Sequence, residues 1–486
     1  MTSLPETNAD SGDNRGWPRG LGFFRPAPSR PITVTDPVRV ADAYRINQRK
    51  ILVATIVGYA LFYFVRKNMS VAMPLLEKDL GITKSTLGGF LTAHGVVYGV
   101  SKFANGFLGD RCNGRSFMVA GLMACALINA AFAYSANLTA GMQGLVLGSS
   151  VLAWAFGLLW VLNGWFQGMG FPPCARLLTH WFPPKVLATR MSIWNTSHSL
   201  GTAGVLYLGG LMAKHGMPWQ AQFYVPAGLA LLGCGYLWAV LKDTPESMGL
   251  PPVETLPDKP DSRLSQKVDP ETAEHLAASM EDRPKSYYMK QVFLNPYIWI
   301  ISLANFFVYA VRYAILDWGP TLFSQAKHFD LKSSSWITTA YELAGIGGML
   351  AAGWITDNVF GGRGARTCLF YMALCTAAAV LLWRLPLTSG AQAASVMMLV
   401  GFAIYGPQAL VGIAVANLGT KHAAATAVGL TGLFGYLSTT VSGWGVGKVV
   451  DTFGWSIFFE GLLGFSIAGT LLFALAWGAP AHGYKK

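Results

Sequence analysis

Charge is scarce in this sequence. Only 12% of its 486 residues are Asp, Glu, Lys or Arg, about half the share found in soluble domains. Acids are scarcer still, 24 against 36 basic residues, for a net charge of +12. A soluble globule of this length could not cover its surface with so few polar groups, which excludes an ordinary cytosolic enzyme. Disorder is excluded as well, because 52% of the residues are hydrophobic. Cysteine is sparse: Cys112, Cys125, Cys174, Cys234, Cys368 and Cys375 show no CxxC or other metal spacing. Most lie in apolar stretches and read as small packing residues, not disulfides. The first 48 residues lack an apolar core after a short basic start, so no cleaved signal peptide is expected. No metal-ligand cluster, nucleophile–base spacing or cofactor loop appears. Neither an enzyme, a metal nor a cofactor is expected.

Long apolar runs are what the sequence has. About twelve occur, at roughly 51–73, 86–108, 116–135, 145–171, 191–213, 221–241, 297–323, 334–356, 367–385, 393–417, 423–447 and 456–477. Each is near the length of about 20 residues that spans a bilayer, whereas barrel strands would show alternating segments of about 10. The expected fold is an all-α membrane protein with twelve transmembrane helices and the lipid bilayer as its solvent. Arg15, Arg19, Arg25, Arg30, Arg39, Arg45, Arg49 and Lys50 precede the first run, while Ser135 to Gly144 carries no charge. This asymmetry places the N-terminus in the cytoplasm of an inner (plasma) membrane protein. Twelve passes return Lys485 and Lys486 to the same side. The basic excess thus reports topology, and no nucleic acid is expected as partner.

Residues 242–291 interrupt the rhythm with ten acids, seven Lys/Arg and five prolines between Pro245 and Pro260, and read as a solvated connector. The expected organisation is a cytoplasmic tail (1–48), a six-helix bundle (49–241), a cytoplasmic linker (242–291), a second bundle (292–478) and a tail (479–486). The halves resemble each other. LFYFVRKN at Leu61–Asn68 matches FVYAVRYA at Phe307–Ala314, placing Arg66 and Arg312 at an offset of 246. GFLGDRCNGR at Gly106–Arg115 matches GWITDNVFGGRGAR at Gly353–Arg366, with Asp110 and Asp357 at 247. A stable offset means internal repetition, and parallel six-span repeats around a membrane-normal axis are a transporter architecture.

The repeat and the Gly-rich DR…GR loop resemble the major facilitator superfamily. The resemblance implies that Asp110, Arg111 and Arg115, with Asp357 in the second copy, brace helix ends and influence the inward–outward equilibrium. Asn358 stands where the second copy would repeat Arg111.

Arg66 lies 16 residues past Lys50 and Arg312 16 past Pro296, about 24 Å along each helix. An arginine at mid-membrane costs about 2.5–3.5 kcal/mol on insertion scales, so two at equivalent depth need a reason. One reading pairs them with Asp317 and Glu342. The other gives them an anion, which guanidinium forks bind through paired charge-assisted hydrogen bonds. Lys67 and Lys102 add cations. His94, Tyr98 and Lys102 share one helix face by their four-residue spacing, as for a water-filled cavity, though His94 alone could equally be a packed histidine. Tyr59, Tyr63, Tyr309, Tyr313, Tyr405 and Tyr436 could donate to phosphate oxygens or simply pack. His180, at the end of the fourth run, could carry a proton that tunes anion affinity or be a helix-end residue beside Trp181.

Specific blocks then resemble one family. GYALFYFVRKNMSVAMP, YGVSKF, GWFQGMGFPPCARLLTHWF, WNTSHSLG, VYAVRYAILDWGPT, YELAGIGG, YGPQALVGIA and GLTGLFGYL are similar to the organophosphate:inorganic phosphate antiporters. The resemblance implies import of glycerol 3-phosphate or a sugar phosphate in exchange for inorganic phosphate, by rocker-switch alternating access. It implies that Arg66 and Arg312 bind the phosphate group. It also assigns Lys102, His180, Tyr59, Tyr63, Tyr309, Tyr405 and Tyr436 to the cavity, with Lys67 less directly involved. The same family includes a membrane sensor of external sugar phosphate, and that alternative implies a sensor kinase as partner. A monomer is expected.

Overall fold

The computed structural model describes residues 22–33, 36–109, 112–140, 148–183, 190–191, 193–253 and 289–481. Among the described residues all regular structure is helical. The first half holds α1 (Pro37–Leu80), α2 (Lys84–Gly109), α3 (Gly114–Ala140), α4 (Gly148–Gln167), α5 (Phe171–Trp181), α6 (Ser197–Lys214) and α7 (Ala221–Val240). The second holds α8 (Pro296–Gln325), α9 (Leu331–Asn358), α10 (Gly364–Arg384), α11 (Gly390–Thr440), α12 (Val446–Phe453) and α13 (Trp455–Leu475). Among the described residues seven helices are long and apolar enough to cross a membrane: α1, α3, α7, α8, α10, α13 and Gly390–Gly419 of α11. Helices α2 and α9 are as long but less apolar, because they carry interior-facing polar groups such as His94, Asn105, Thr339 and Glu342. The chain is an all-α membrane protein of twelve passes in two related bundles.

Two passes differ from simple rods. At Gly168–Gly170 the fourth pass breaks between α4 and α5, and Pro172 restarts it in the first turn of α5, where a missing N–H does no harm. A side chain on Gly170 would stand 3.1 Å from the ring of Phe62. Helix α11 is 51 residues long, which as a straight rod would measure about 76 Å. Yet Tyr405 bonds to Arg312 of α8, while Gly435 lies against Asn305 and Tyr309 of the same helix. Both limbs therefore flank one short stretch of α8, and α11 doubles back between them. These limbs supply the tenth and eleventh passes.

Helix α1 starts earlier than its apolar run. Asp36 caps it by accepting from Val38 N at 3.1 Å, so residues 37–48 of the expected tail form its first turns. This end is clasped. Tyr44 Oη donates to Pro251 O at 2.5 Å. Asp243 accepts from Gly114 N at 2.7 Å, at the start of α3, and from Ala27 N at 3.1 Å, with Arg176 at 3.5 Å.

The halves meet on glycine. A Cβ on Gly95 would stand 2.7 Å from Thr439, and one on Gly210 2.8 Å from Ser335. Backbones approach just as closely where Gly88 meets Gly443, inside a π-helical turn at Val441–Gly445. At the end where α1 and α8 finish, Lys84 pairs with Glu77, and Gln325 donates to Glu77 at 2.7 Å. Ser85 N donates to Asp451 at 2.6 Å. The two halves are latched together at this end.

Candidate anion-binding site

Arg66 and Arg312 come from α1 and α8, one in each half, and both are buried. The Arg66 guanidinium lies 4.1 Å over the ring of Tyr98 and 5.5 Å from that of Tyr63. Arg312 donates from Nη2 to Tyr405 Oη at 2.9 Å, and Tyr405 in turn donates to Glu342. Neither Asp317 nor Glu342 is an ion-pair partner of either arginine. Asp317 pairs with Lys67 of the opposite half, and the Arg312 Nε has no hydrogen-bond partner among the described residues. Four cations (Arg66, Lys67, Lys102, Arg312) face two acids. The excess of positive charge suits an anion.

Aromatic rings wall the site. Tyr59 and Tyr63 meet edge to face at 5.5 Å, Tyr98 and Tyr436 at 5.6 Å, and Tyr309 and Tyr313 at 5.5 Å. Lys102 sits 4.5 Å over Phe171, whose ring also meets that of Tyr59. The structure therefore brings together Arg66, Arg312, Lys102, Tyr59, Tyr63, Tyr98, Tyr309, Tyr405 and Tyr436. Lys67 is turned to Asp317 instead.

His180 is not among them. It closes α5, and its ring nitrogen Nδ1 lies 2.9 Å from Arg176 O of its own helix. The histidine in the site is His198 on α6, which the expectations omitted. Its ring lies 5.8 Å from Tyr63 and 6.3 Å from Tyr405, in the field of both arginines. An ionisable residue inside a pass is the signal that could have found it. Sequence reading also missed the pairing of Lys67 with Asp317 and the tie from Glu342 through Tyr405. His94 packs 5.3 Å from Trp160 and lines a chamber of about 30 Å³ with Arg66, Lys67 and Asp317.

Of the loop residues, Asp110 and Arg111 lie outside the described residues. Arg115 stacks 4.2 Å over Trp238, and Asp357 is exposed at the end of α9.

The Major Facilitator Superfamily model matches residues 55–443. The chain belongs to this superfamily. It is 35% identical to a probable hexose phosphate transport protein of Chlamydia pneumoniae, covering 94% of this chain and 97% of that one. It is 34% identical to the glycerol-3-phosphate transporter of Bacillus subtilis (strain 168), over 94% and 98%. It is 36% identical to the membrane sensor protein UhpC of Escherichia coli (strain K12), over 90% and 93%. Among solved structures, the D-xylose-proton symporter aligns with a TM-score of 0.64 at 13% identity, over 90% and 99%. A bacterial Spinster homologue in an inward-facing, unoccupied conformation aligns at 0.61 and 14%, over 88% and 95%. These superfamily relatives are the transporters and the sensor that the sequence blocks resemble, and none of the names is that of an enzyme.

Proposed function

We propose that the protein exchanges a small organophosphate for inorganic phosphate across the inner membrane, with both termini in the cytoplasm. The observation that carries this reading is the pair Arg66 and Arg312, buried on opposite halves with neither guanidinium neutralised by a carboxylate of its own. A phosphate group held by both supplies the missing charge and draws the halves together. With the site empty, full closure would seal two unpaired cations away from any remaining water at a cost of several kcal/mol, so the empty carrier reorients slowly and exchange is favoured. The latch at Glu77, Lys84, Gln325 and Asp451 closes the external end, which makes this the inward-facing state. The bundles 49–241 and 292–478 rock as bodies about the site, with loop residues Asp110, Arg111, Arg115 and Asp357 biasing the equilibrium.

Hexose phosphate and glycerol 3-phosphate are both supported as substrates by the relatives. The test is efflux of labelled phosphate from proteoliposomes, driven by external glycerol 3-phosphate, glucose 6-phosphate or phosphoglycerate. Arg66→Lys or Arg312→Lys, which lose the planar fork, are expected to abolish exchange. Undiminished exchange by either variant, or rapid organophosphate uptake into vesicles without internal phosphate, counts against the reading. The identity to UhpC favours one second reading, a sensor that binds external sugar phosphate and signals to a kinase with little flux. Binding without exchange would select it.

A further inference from the structure

Arg66 stands on a broken turn. Val65 has φ −94° and ψ 16°, inside an otherwise continuous α1. Against a helical ψ of about −42°, this redirects the following peptide by nearly 60°. No proline or glycine stands at the break, so its cause must be sought in the neighbours. The Val65 carbonyl accepts from two side-chain amides, Asn129 Nδ2 of α3 and Asn163 Nδ2 of α4, each at 3.0 Å. One turn back, Phe62 O accepts from Gln167 Nε2 at 2.9 Å. Beyond the two cations, Asn68 Nδ2 donates to Asn129 Oδ1 and to Gln222 O of α7, both at 2.9 Å. Gln222 Nε2 reaches Gly209 O of α6 at 3.1 Å. Four of these buried amides, Asn68, Asn129, Asn163 and Gln222, thus form one neutral network behind Arg66 and Lys67, and Gln167 holds the carbonyl one turn before the break.

The reading of the site above gives these amides nothing to do. Burying an amide is costly unless it is bonded, and apolar side chains would pack the bundle as well. What apolar side chains cannot do is donate twice to one carbonyl and so hold its peptide tilted away from the helix axis. We propose that Asn129, Asn163 and Gln167 are positioning residues: they keep α1 broken at Val65 and thereby fix the direction in which Arg66 projects into the anion site. Asn68 and Gln222 anchor the other side of the same turn. Losing a donor lets the turn relax toward regular helix and swings the guanidinium away from the phosphate.

This proposal rests on the reading of Arg66 as a phosphate ligand, and the test separates the two. Calorimetry on the purified full-length protein would give the Kd for inorganic phosphate in wild type, Asn163→Leu, Arg66→Lys, Arg312→Lys and the two double variants. Asn163→Leu is expected to weaken phosphate by about tenfold. In the Arg66→Lys background its further effect should fall below about twofold, because the group it positions is gone, while in Arg312→Lys the tenfold loss should persist. A purely structural role would lower the unfolding temperature without this pattern. Gln167→Met, which keeps length and loses the donor, runs the same cycle if Asn163→Leu does not fold. An equal loss in both lysine backgrounds, or none in the wild-type background, overturns the proposal. An unchanged Kd in Arg66→Lys alone overturns the phosphate reading beneath it, and the proposal with it.

Discussion

Lys67 and Asp317 form a buried ion pair between α1 and α8, 250 residues apart in the chain. The pair joins the halves directly beside the anion site, because Lys67 follows Arg66 with no residue between. Asp317 satisfies one of two adjacent cations and leaves the other, Arg66, without a carboxylate among the described residues.

Removing one partner strands the other. Asp317→Ala is expected to destabilise the protein by about 3–5 kcal/mol, whereas the double change Lys67→Met/Asp317→Leu should recover most of the loss. Thermal unfolding in detergent measures both. Equal losses in single and double variants would show that the pair contributes nothing beyond packing.

Gly345 sets the place of Tyr405. A Cβ at position 345 would stand 2.5 Å from the Tyr405 ring, and that ring is fully buried. Gly345→Val should push the Tyr405 hydroxyl off Arg312. A hydrogen bond to a charged group is worth about 1.5–3 kcal/mol, so phosphate affinity should fall about tenfold or more. Phosphate titration reads this directly.

The latch should control which end opens. Glu77→Ala removes the acceptor shared by Lys84 and Gln325, and with it the Gln325 bond that crosses between the halves. A cysteine in place of Thr92, whose hydroxyl meets Thr439 O and Trp444 N of the other half, should then react faster with an impermeant thiol reagent added from the external side. Unchanged labelling would place the closing force elsewhere, in the glycine contacts themselves.

Asp330 caps α9 through Ser333 N at 3.1 Å. Hydrogen bonding from Ser333 holds its carboxyl below the ordinary aspartate value. A depressed folded-state pKa contributes stability that is full above the unfolded value, near 4, and is lost as pH falls through the folded value. Asp330→Ala should cost about 1 kcal/mol at neutral pH and progressively less below pH 4. Thermal unfolding of the two proteins across that range checks the sign.

The passes, the repeat and the two arginines were legible because a charge in an apolar run is conspicuous. Partner choice was not. Asp317, five residues after Arg312, falls about 140° around the helix from it at 100° per residue, so it faces Lys67 of the other half. Spacing within one helix carries no record of what stands opposite. His180 attracted attention by its surroundings, yet it ends a helix, while His198 lies within a pass among small residues. Asn129, Asn163 and Gln167 escaped notice because an amide carries no charge and its hydrogen bonds are settled only when helices pack. The doubling back of α11 did follow the sequence, which separates two apolar runs near residue 420.

Residues 66, 67 and 68 share less than one helical turn yet, on the proposed reading, answer to three different bodies: a ligand, the opposite half and the amides of their own half. That turn works as a lever arm whose load, counterweight and fulcrum are consecutive side chains. In the proposed exchange cycle, ligand occupancy and the tilt of the bundles need no relay through the protein, because both act on the same piece of backbone. A single inserted residue between Arg66 and Asn68 would leave every contact chemically available and still disconnect binding from movement.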